Sequence, residues 1–237
     1  MTRLSVNINK VALIRNSRGG NLPNLLQVAL DCETFGAEGI TVHPRPDQRH
    51  VRYDDIGPLK QHIKTELNIE GNPTSDFVDL VLKHCPAQCT LVPDEPGALT
   101  SDAGWDTIKH KDFLLEVCQK LKDVGIRVSL FVDPQSEMIQ GAQECGADCV
   151  EFYTGPFALR FLDHPEEAVK AHTEAAIMAH SMGLKVNAGH DLNRENLRFY
   201  AQHVPFLDEV SIGHAIISDA LYLGLAETIK QYKEALI

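Results

Sequence analysis

Three features of the sequence predict an α/β fold, namely a (β/α)₈ or TIM barrel formed by one domain over residues 1–237. Eight short β-rich segments recur along the chain, most intervals between them have helical periodicity, and several predicted helices end at a glycine. The alternative is a doubly wound open sheet. That fold normally has fewer strands and a glycine-rich first turn, and this chain has neither a GxGxxG motif nor a Walker loop.

The predicted strands are short runs rich in β-branched and other apolar residues, as expected for a buried parallel sheet. In chain order they cover residues 4–9, 39–43, 67–70, 88–92, 127–133, 149–154, 185–188 and 209–212. The intervals between them place apolar residues at helical spacing, for example at residues 25–30 and 113–121.

A glycine stands between a predicted helix and the next strand at four places: Gly36, Gly125, Gly146 and Gly183. Glycine readily adopts the left-handed conformation with which many helices end, so each of these residues predicts a helix stop. The repeated order of helix, glycine and strand favours the barrel over the open sheet.

The composition limits the classes of partner. The chain is 43% hydrophobic and has a formal net charge of -11. This charge argues against nucleic acid or an anionic membrane, although a small anionic substrate responds to local charge. The first ten residues lack the apolar segment of a signal peptide, and no apolar run approaches the ~20 residues that span a bilayer. We therefore expect a soluble, cytoplasmic protein.

The six cysteines do not have the spacing of a typical metal site. They are Cys32, Cys85, Cys89, Cys118, Cys145 and Cys149. His84 with Cys85 and Cys89 resembles half of a zinc site, but neither this segment nor the later pair has the tight Cys-x-x-Cys spacing. We expect reduced, buried cysteines and no metal.

Polar residues end most of the predicted strands, and in a TIM barrel the reactive groups lie at these C-terminal ends and in the loops that follow. They are Asn7, Asn9, His43, Glu70, Asp133, Glu151, His190 and the pair Gly213 and His214. By the period of two in a strand, Asn9 is expected to face the lumen together with Asn7. Helix caps and satisfied core polar groups are the alternative for each residue alone. As a set they favour a site, because buried glutamates and histidines need partners.

An anion site is predicted on the same rim. Gly213 ends the eighth strand and opens the last predicted helix, whose first N–H groups can hold a phosphate. Lys10, Arg18 and Arg45 add cations from neighbouring loops. A solvated surface arginine is a stronger alternative for Arg18 than for Arg45, which lies just past a strand end. An acidic protein that gathers cations on one rim is expected to bind an anion there.

Over essentially its whole length the chain resembles the pyridoxine 5′-phosphate synthase family. The resemblance depends on residues 6–10, 15–19, 39–50, 67–70, 91–93, 128–133, 183–190 and 212–216. The segments GITVHPRPDQRH (39–50) and GLKVNAGH (183–190) are the long and specific ones.

The resemblance implies a transferase-type condensation without a cofactor, in which 1-deoxy-D-xylulose 5-phosphate and 3-amino-2-oxopropyl phosphate form pyridoxine 5′-phosphate, phosphate and water. It implies that His43 and Glu70 are general bases and that His190 is the general acid. Glu151 would stabilise cationic or transition-state charge. The implied contacts to the aminoketone phosphate are Asn7, Arg18, Gly213 and His214, and those to the pentulose phosphate are Arg45, His50 and Thr100. The family also implies a homo-octamer.

Three substrate-contact positions depart from the family pattern. The family usually has Asp-His where this chain has Asn9 and Lys10, and glycine where it has Asp191. An amide can still accept and donate hydrogen bonds, and an ammonium can still contact a phosphate. We expect altered hydroxyl and phosphate contacts and an unaltered acid–base trio of His43, Glu70 and His190.

Two rival functions use the same barrel. A metal-dependent hydrolase would need a His-x-His pair at the first strand end, where this chain has Asn7 and Asn9. A non-enzymatic phosphate binder would need the cations without the acid–base trio. Activity in the presence of a chelator excludes the first rival, and any turnover excludes the second.

Overall fold

Eight parallel strands pair in sequence order and close into one barrel, because the first strand also pairs with the last. This architecture is seen in a computed structural model that describes residues 1–94 and 101–237. The predicted (β/α)₈ fold is therefore confirmed. None of the helices in the described part of the chain is long and apolar enough to cross a bilayer.

Every predicted strand is present. The strands are β1 (Arg3–Asn7), β2 (Gly39–Val42), β3 (Glu66–Gly71), β4 (Gln88–Leu91), β5 (Arg127–Val132), β6 (Cys149–Phe152), β7 (Lys185–Ala188) and β8 (Leu207–Ile212). Within residues 1–94 and 101–237 the helices are α1 (Asn9–Asn16), α2 (Leu25–Thr34), α3 (Tyr53–His62), α4 (Ser75–His84), α5 (Lys111–Lys122), α6 (Ser136–Glu144), α7 (Gly155–Arg160), α8 (Pro165–Ser181), α9 (Leu197–His203), α10 (His214–Leu223) and α11 (Leu225–Ala235).

The four helix-stop glycines have the predicted conformation. The φ angles are +104° at Gly36, +81° at Gly125, +77° at Gly146 and +81° at Gly183. These angles lie in or near the left-handed region, which glycine enters without the steric cost of a Cβ atom. Each glycine directly precedes the segment that leads into the next strand.

Three expectations of detail are wrong. β1 ends at Asn7, and Asn9 begins α1 because Ile8 has already left the extended conformation (φ -96°, ψ 13°), so Asn9 does not follow the period of the strand. Gly213 opens α10, which is followed by α11 and is not the last helix. Cys85 is exposed at the left-handed end of α4, whereas the other five cysteines are buried; all six are free.

The hydrophobic core lies between the barrel and its helices. The outward-facing residues of the strands are fully buried, for example Leu4, Val6, Ile40, Ile69 and Leu91. They pack with the apolar faces of the surrounding helices into one contiguous cluster. The helices therefore cover the apolar side of the sheet, and the polar strand residues are left to face the lumen.

The lumen itself is polar, although barrels of this kind usually fill it with branched apolar side chains. The Oγ1 of Thr90 in β4 lies 3.3 Å from a carboxylate oxygen of Glu151 in β6, and the amide of Asn187 in β7 donates to Gln88 in β4 at 3.4 Å. These pairs join strands that are not neighbours, so their side chains meet across the lumen. Buried polar groups without a partner are costly, yet in the described part of the chain Nε2 of Gln88 and Oδ1 of Asn187 have no hydrogen-bond partner.

An ion-pair network closes the N-terminal end of the lumen. Glu66 of β3 accepts hydrogen bonds from Arg3 of β1 and Arg127 of β5, and Arg3 also contacts Asp208 at 2.8 Å and Glu209 at 3.3 Å in β8. Burial opposes the ionisation of Glu66, but the bonds from Arg127 and Arg3 outweigh it and lower its pKa to about 2. The network links four strands at the base of the barrel.

We predict that Glu66→Gln lowers the free energy of unfolding at pH 7 by about 1 kcal/mol, since the carboxylate is about one-third exposed and water screens its pairs. The folded-state pKa lies below the ordinary value of 4.5, so this stabilisation is present above pH 4.5 and is lost as the pH falls toward 2. Urea unfolding at several pH values measures it. Glu174→Gln, in an exposed pair on α8, serves as the control and should change stability by less than ~0.5 kcal/mol. Equal effects of the two substitutions at pH 7 would contradict the prediction.

Candidate active site

Four acid–base side chains predicted from the sequence meet at the C-terminal rim of the barrel. His43 follows β2, Glu70 lies near the end of β3, Glu151 lies in β6 and His190 follows β7. The first three are almost fully buried, and His190 is partly exposed. The sequence pattern therefore placed each group on the correct strand end.

His43 is held as a neutral ring. Its backbone N–H donates to the side-chain oxygen of Asn9 at 2.9 Å, which fixes the start of the β2 loop to the start of α1. Burial, and then the positive charge of Arg45, lower the pKa of His43 well below its usual value. A neutral imidazole has a free lone pair and can accept a proton from a reacting group, although the lowered pKa makes it a weaker base than a solvated histidine.

Glu70 and Glu151 form a pair of buried carboxyl groups that influence each other. Burial, followed by the charge of Glu151, raises the pKa of Glu70 well above its usual range. Burial, followed by the charge of Glu209, raises the pKa of Glu151 to about 7. Like charges in a low-dielectric site resist simultaneous ionisation, so at neutral pH the pair retains a proton. Asn7 donates to Glu70 at 3.4 Å.

A row of polar side chains in the lumen supports Glu151. Ser5 and Thr41 share a hydrogen bond of 2.7 Å, Asn68 donates to Thr41 at 3.4 Å, and Thr90 lies 3.2 Å from the Asn68 oxygen and 3.3 Å from Glu151. Thr90 has one hydroxyl proton and so donates to one of its two acceptors at a time. The row can therefore donate to the ionised form of Glu151 and accept from its protonated form.

The β2 loop is fixed from outside by α1. Arg15 pairs with Asp55 through its two terminal guanidinium nitrogens, at 2.6 and 2.9 Å. It also donates to the backbone oxygen of His50 at 3.2 Å. Asn16 donates to the same oxygen at 2.7 Å. No role is predicted for Arg15 or Asn16 from the sequence, where both lie in the segment 15–19 that resembles the family. Their contacts show that they hold the loop that contains His43, Arg45 and His50.

His43 and Arg45 border a cavity between the loops that follow β2, β3 and β4. Arg45 is buried and its guanidinium pairs with Asp94 at 2.5 Å, so an anion would have to share this cation with Asp94. Burial, followed by the charge of Arg45, lowers the pKa of His50 to about 4. The Nδ1 atom of His50 accepts from the Val51 N–H at 2.9 Å, which leaves Nε2 as the protonated donor of the neutral ring.

The predicted aminoketone phosphate contacts are only partly brought together. Asn7 and Gly213 are in close approach, since a Cβ atom on Gly213 would lie 3.0 Å from the Asn7 side chain. His214 begins α10 at this point. Arg18 is exposed beyond α1, and its described hydrogen bond is a backbone one to Arg15. Lys10 is exposed in the first turn of α1, on the side where its charge acts on His50.

His190 is held by its neighbours in the loop after β7. Gly189 must be a glycine, because a Cβ atom there would lie 2.3 Å from the backbone oxygen of Ser211. The hydroxyl of Thr154 donates to the backbone oxygen of His190, and the ring of Tyr153 lies edge-on to the imidazole at 5.7 Å. Asp191, predicted to contact substrate, has its carboxylate 3.0 Å from the His190 ring nitrogen.

Some residues were missed or lie outside the described chain. Thr100, a predicted substrate contact, falls within residues 95–100, outside the described residues. Glu209 was missed. It lies in β8 two residues before Ser211 and four before Gly213, so the alternation of side chains along a strand places it on the same face and could have indicated it. Within residues 1–94 and 101–237, no group of three or more His, Cys, Asp or Glu side chains is arranged to hold a metal ion.

Comparison with known sequences identifies relatives of full length. The family described as pyridoxal phosphate biosynthesis protein PdxJ matches residues 4–237. The chain is 58% identical to the pyridoxine 5′-phosphate synthase of Christiangramia forsetii over 236 residues, which is 100% of both chains. It is 60% identical to the enzyme of the same name from Cytophaga hutchinsonii, with 98% of each chain covered.

Comparison with solved structures finds the same fold at low sequence identity. The 3-keto-L-gulonate-6-phosphate decarboxylase of Vibrio cholerae superimposes with a TM-score of 0.67 at 8% identity, over 99% of this chain and 97% of the other. Phosphoribosylanthranilate isomerase from Thermotoga maritima gives a TM-score of 0.61 at 14% identity, over 100% and 98%. At such identities the likeness establishes the barrel fold and nothing further.

The Thr90 hydroxyl provides a test of the polar row. Its hydrogen bond lowers the pKa of Glu151, so Thr90→Val should raise that pKa further above about 7, while Thr90→Ser should preserve it. Infrared spectroscopy of the protein labelled with ¹³C-glutamate, titrated with pH, resolves the protonated from the ionised carboxyl. Equal titration of the Val and Ser variants would show that Thr90 does not support the ionised form.

Proposed function

The chain belongs to the family of the pyridoxal phosphate biosynthesis protein PdxJ and acts as a pyridoxine 5′-phosphate synthase, an enzyme of vitamin B6 biosynthesis, and from this premise we propose its substrates and the roles of its residues. The proposed substrates are 1-deoxy-D-xylulose 5-phosphate and 3-amino-2-oxopropyl phosphate. Their condensation closes the pyridine ring and releases phosphate and water. The reaction is a transferase-type condensation without a cofactor.

The observation that supports these substrates most strongly is the set of acid–base groups at the rim of the barrel. A neutral histidine, a carboxyl pair that retains a proton and a second histidine surround the mouth of one polar lumen. Joining an amine to a ketone, losing water and closing an aromatic ring requires repeated proton transfers. It requires no external oxidant or reductant. Groups that can accept and return protons near neutral pH suit this chemistry.

His43 and Glu70 act as the general bases in this proposal. His43 accepts a proton through the free lone pair of its neutral ring. Glu70 is a strong base whenever it is ionised, because burial and the charge of Glu151 favour its protonated form. Glu151 has a pKa of about 7, so its carboxyl group can ionise near neutral pH. The ionised carboxylate stabilises the cationic intermediates that form when a proton is transferred.

His190 acts as the general acid. It lies in the loop after β7, three strands around the barrel from the loop of His43, and is more exposed than the other three groups. A proton delivered from its ring to a hydroxyl oxygen allows the carbon–oxygen bond to break and water to leave. The partial exposure of His190 gives it a route to recover its proton from solvent.

The two phosphates are bound on different sides of the rim. For the aminoketone phosphate, the support is the close approach of Asn7 to Gly213 at the N-terminus of α10, where backbone N–H groups point outward beside His214. Arg18 joins this set by family resemblance. For the pentulose phosphate, the supporting residues are Arg45, His50, Asn9 and Lys10, to which resemblance adds Thr100.

The setting of the enzyme is part of the same proposal. A cytoplasmic location is supported by six free cysteines, of which five are buried. Assembly into a homo-octamer is supported by family resemblance and by large apolar side chains at the surface, such as Leu159 and Tyr222, which are 85% and 90% exposed. Nucleic acid and membranes are not among the proposed partners, in keeping with the net charge of -11.

The direct experiment is to incubate the purified protein with both phosphates and a metal chelator and to follow the two products. Formation of pyridoxine 5′-phosphate together with inorganic phosphate supports the substrates and the independence from metal. Failure of either phosphate to be consumed would refute the substrate assignment. Activity that is present without the chelator and lost with it would show that the reaction depends on a metal ion.

For the acid–base groups, we predict that His43→Asn, Glu70→Gln and His190→Asn each lower kcat by at least about a hundredfold, because each removes a proton-transfer group. Circular dichroism and urea unfolding should show an intact fold. His62→Asn, at an exposed position in the last turn of α3, is the matched control and should retain full activity. Near-normal turnover in one of the three variants would remove that residue from the mechanism.

For Lys10, we predict a salt-dependent role in binding the pentulose phosphate. Lys10→Gln should raise the KM for this substrate at low salt and should flatten the rise of KM with ionic strength, since a screened charge is removed. The measurement is KM across a salt series with the aminoketone phosphate saturating. Lys60→Gln, exposed in the last turn of α3, is the control. An unchanged salt slope in Lys10→Gln would show that its ammonium does not act on the substrate.

A further inference from the structure

Asp191 and His190 form a pair in the loop after β7. The Nδ1 atom of His190 lies 3.0 Å from Oδ2 of Asp191, and the two side chains are 29% and 50% exposed. Asp191 has a φ of +62°, and the turn that contains it is closed by a hydrogen bond of 3.0 Å from the Leu192 N–H to the Gly189 oxygen. The carboxylate is thereby placed beside the ring of the preceding residue.

Other contacts already hold the position of His190. Its backbone oxygen accepts from the hydroxyl of buried Thr154, and its ring packs edge-on against Tyr153 with an interplanar angle of 66°. The backbone of Asp191 is held separately, because the side-chain amide of Asn196 donates to its oxygen at 3.2 Å. These contacts hold the backbone of the loop and one side of the ring, and the carboxylate of Asp191 adds a charged acceptor at Nδ1.

We propose that Asp191 is a positioning residue for His190, whose carboxylate accepts the Nδ1 hydrogen and directs Nε2 toward the reacting groups. The inference rests on the proposed function, in which His190 is the general acid. It reassigns Asp191 from the predicted substrate contacts to the orientation of a catalytic group.

The charges around the pair agree with this role. The hydrogen bond with His190 lowers the pKa of Asp191, so the carboxylate is ionised at neutral pH. A carboxylate that accepts from one ring nitrogen fixes which nitrogen of the imidazole faces away. Glu151 also lies close enough to interact with the charge of His190, and His214 lies close enough to interact with the charge of Asp191. Tyr153 presents an uncharged ring.

The backbone at Asp191 permits a clean set of variants. Aspartate, asparagine and glycine all adopt a positive φ at low cost, so neither Asp191→Asn nor Asp191→Gly should strain the turn. Asparagine keeps the shape of the side chain and removes its charge. Glycine, the usual residue of the family at this position, removes the side chain altogether.

The kinetic test separates kcat from KM in the intact enzyme. At neutral pH we expect both variants to lower kcat about fivefold, as for the loss of a half-exposed ion pair. The KM for each phosphate should change less than about twofold. In the His190→Asn background, Asp191→Asn should have no further effect on kcat. A raised KM with an unchanged kcat would overturn the inference and return Asp191 to the substrate contacts.

A second measurement does not depend on turnover. In ¹⁵N NMR spectra of the free enzyme labelled at histidine, the parent should carry the hydrogen of the neutral His190 ring on Nδ1, and Asp191→Gly should lose this preference. If the spectra of the parent and of Asp191→Gly agree, the inference is refuted whatever the activity. If the preference is lost while no pyridoxine 5′-phosphate is formed by the parent, the pairing stands and the proposed function fails.

Discussion

A carboxylic acid that is buried away from water keeps its proton unless polar partners stabilise the charged form. Glu70 and Glu151 are both buried at the mouth of the barrel, and this constraint shapes the lumen beneath them. Branched apolar side chains would fill the lumen more densely but would leave both acids without a partner. The row that ends at Thr90 instead gives Glu151 a donor, and Asn7 gives one to Glu70. The polar lumen in turn requires the ion-pair network at its base, since Arg3 and Glu209 also lie inside it.

The loops at the rim depend on a second set of contacts, made by α1. This helix follows β1 and bonds the β2 loop at both ends, through Asn9 to His43 and through Asn16 to His50. A loop of this length has little secondary structure of its own, so its backbone polar groups need outside partners. Because α1 provides them, the base at the start of the loop and the substrate-binding side chains further along it are held by one rigid element. The His190 loop is held in the same way by Thr154 from the neighbouring β6 loop.

Much of this arrangement could be predicted from the sequence, because the relevant patterns are local. The β-branched and apolar content identified every strand, and the left-handed preference of glycine identified four helix ends such as Gly125 and Gly183. The fold then placed His43, Glu70, Glu151 and His190 on one rim, since strand ends in a parallel barrel share one face. The errors also have local causes. Ile8 leaves the strand conformation one residue after Asn7, which local composition does not reveal.

The barrel, the strand ends and the types of acid and base at the rim can be predicted from the sequence alone, because they follow from backbone periodicity and residue chemistry. The protonation and pairing of each group depend on the folded structure. Arg45 is paired with Asp94, and the charge of Glu209 raises the pKa of Glu151. The two members of each pair are far apart along the chain. Burial and charge act through space, over a few ångströms, and the chain brings such groups together only when the barrel closes. The pKa of Glu151 and the neutrality of His43 are therefore properties of the folded protein.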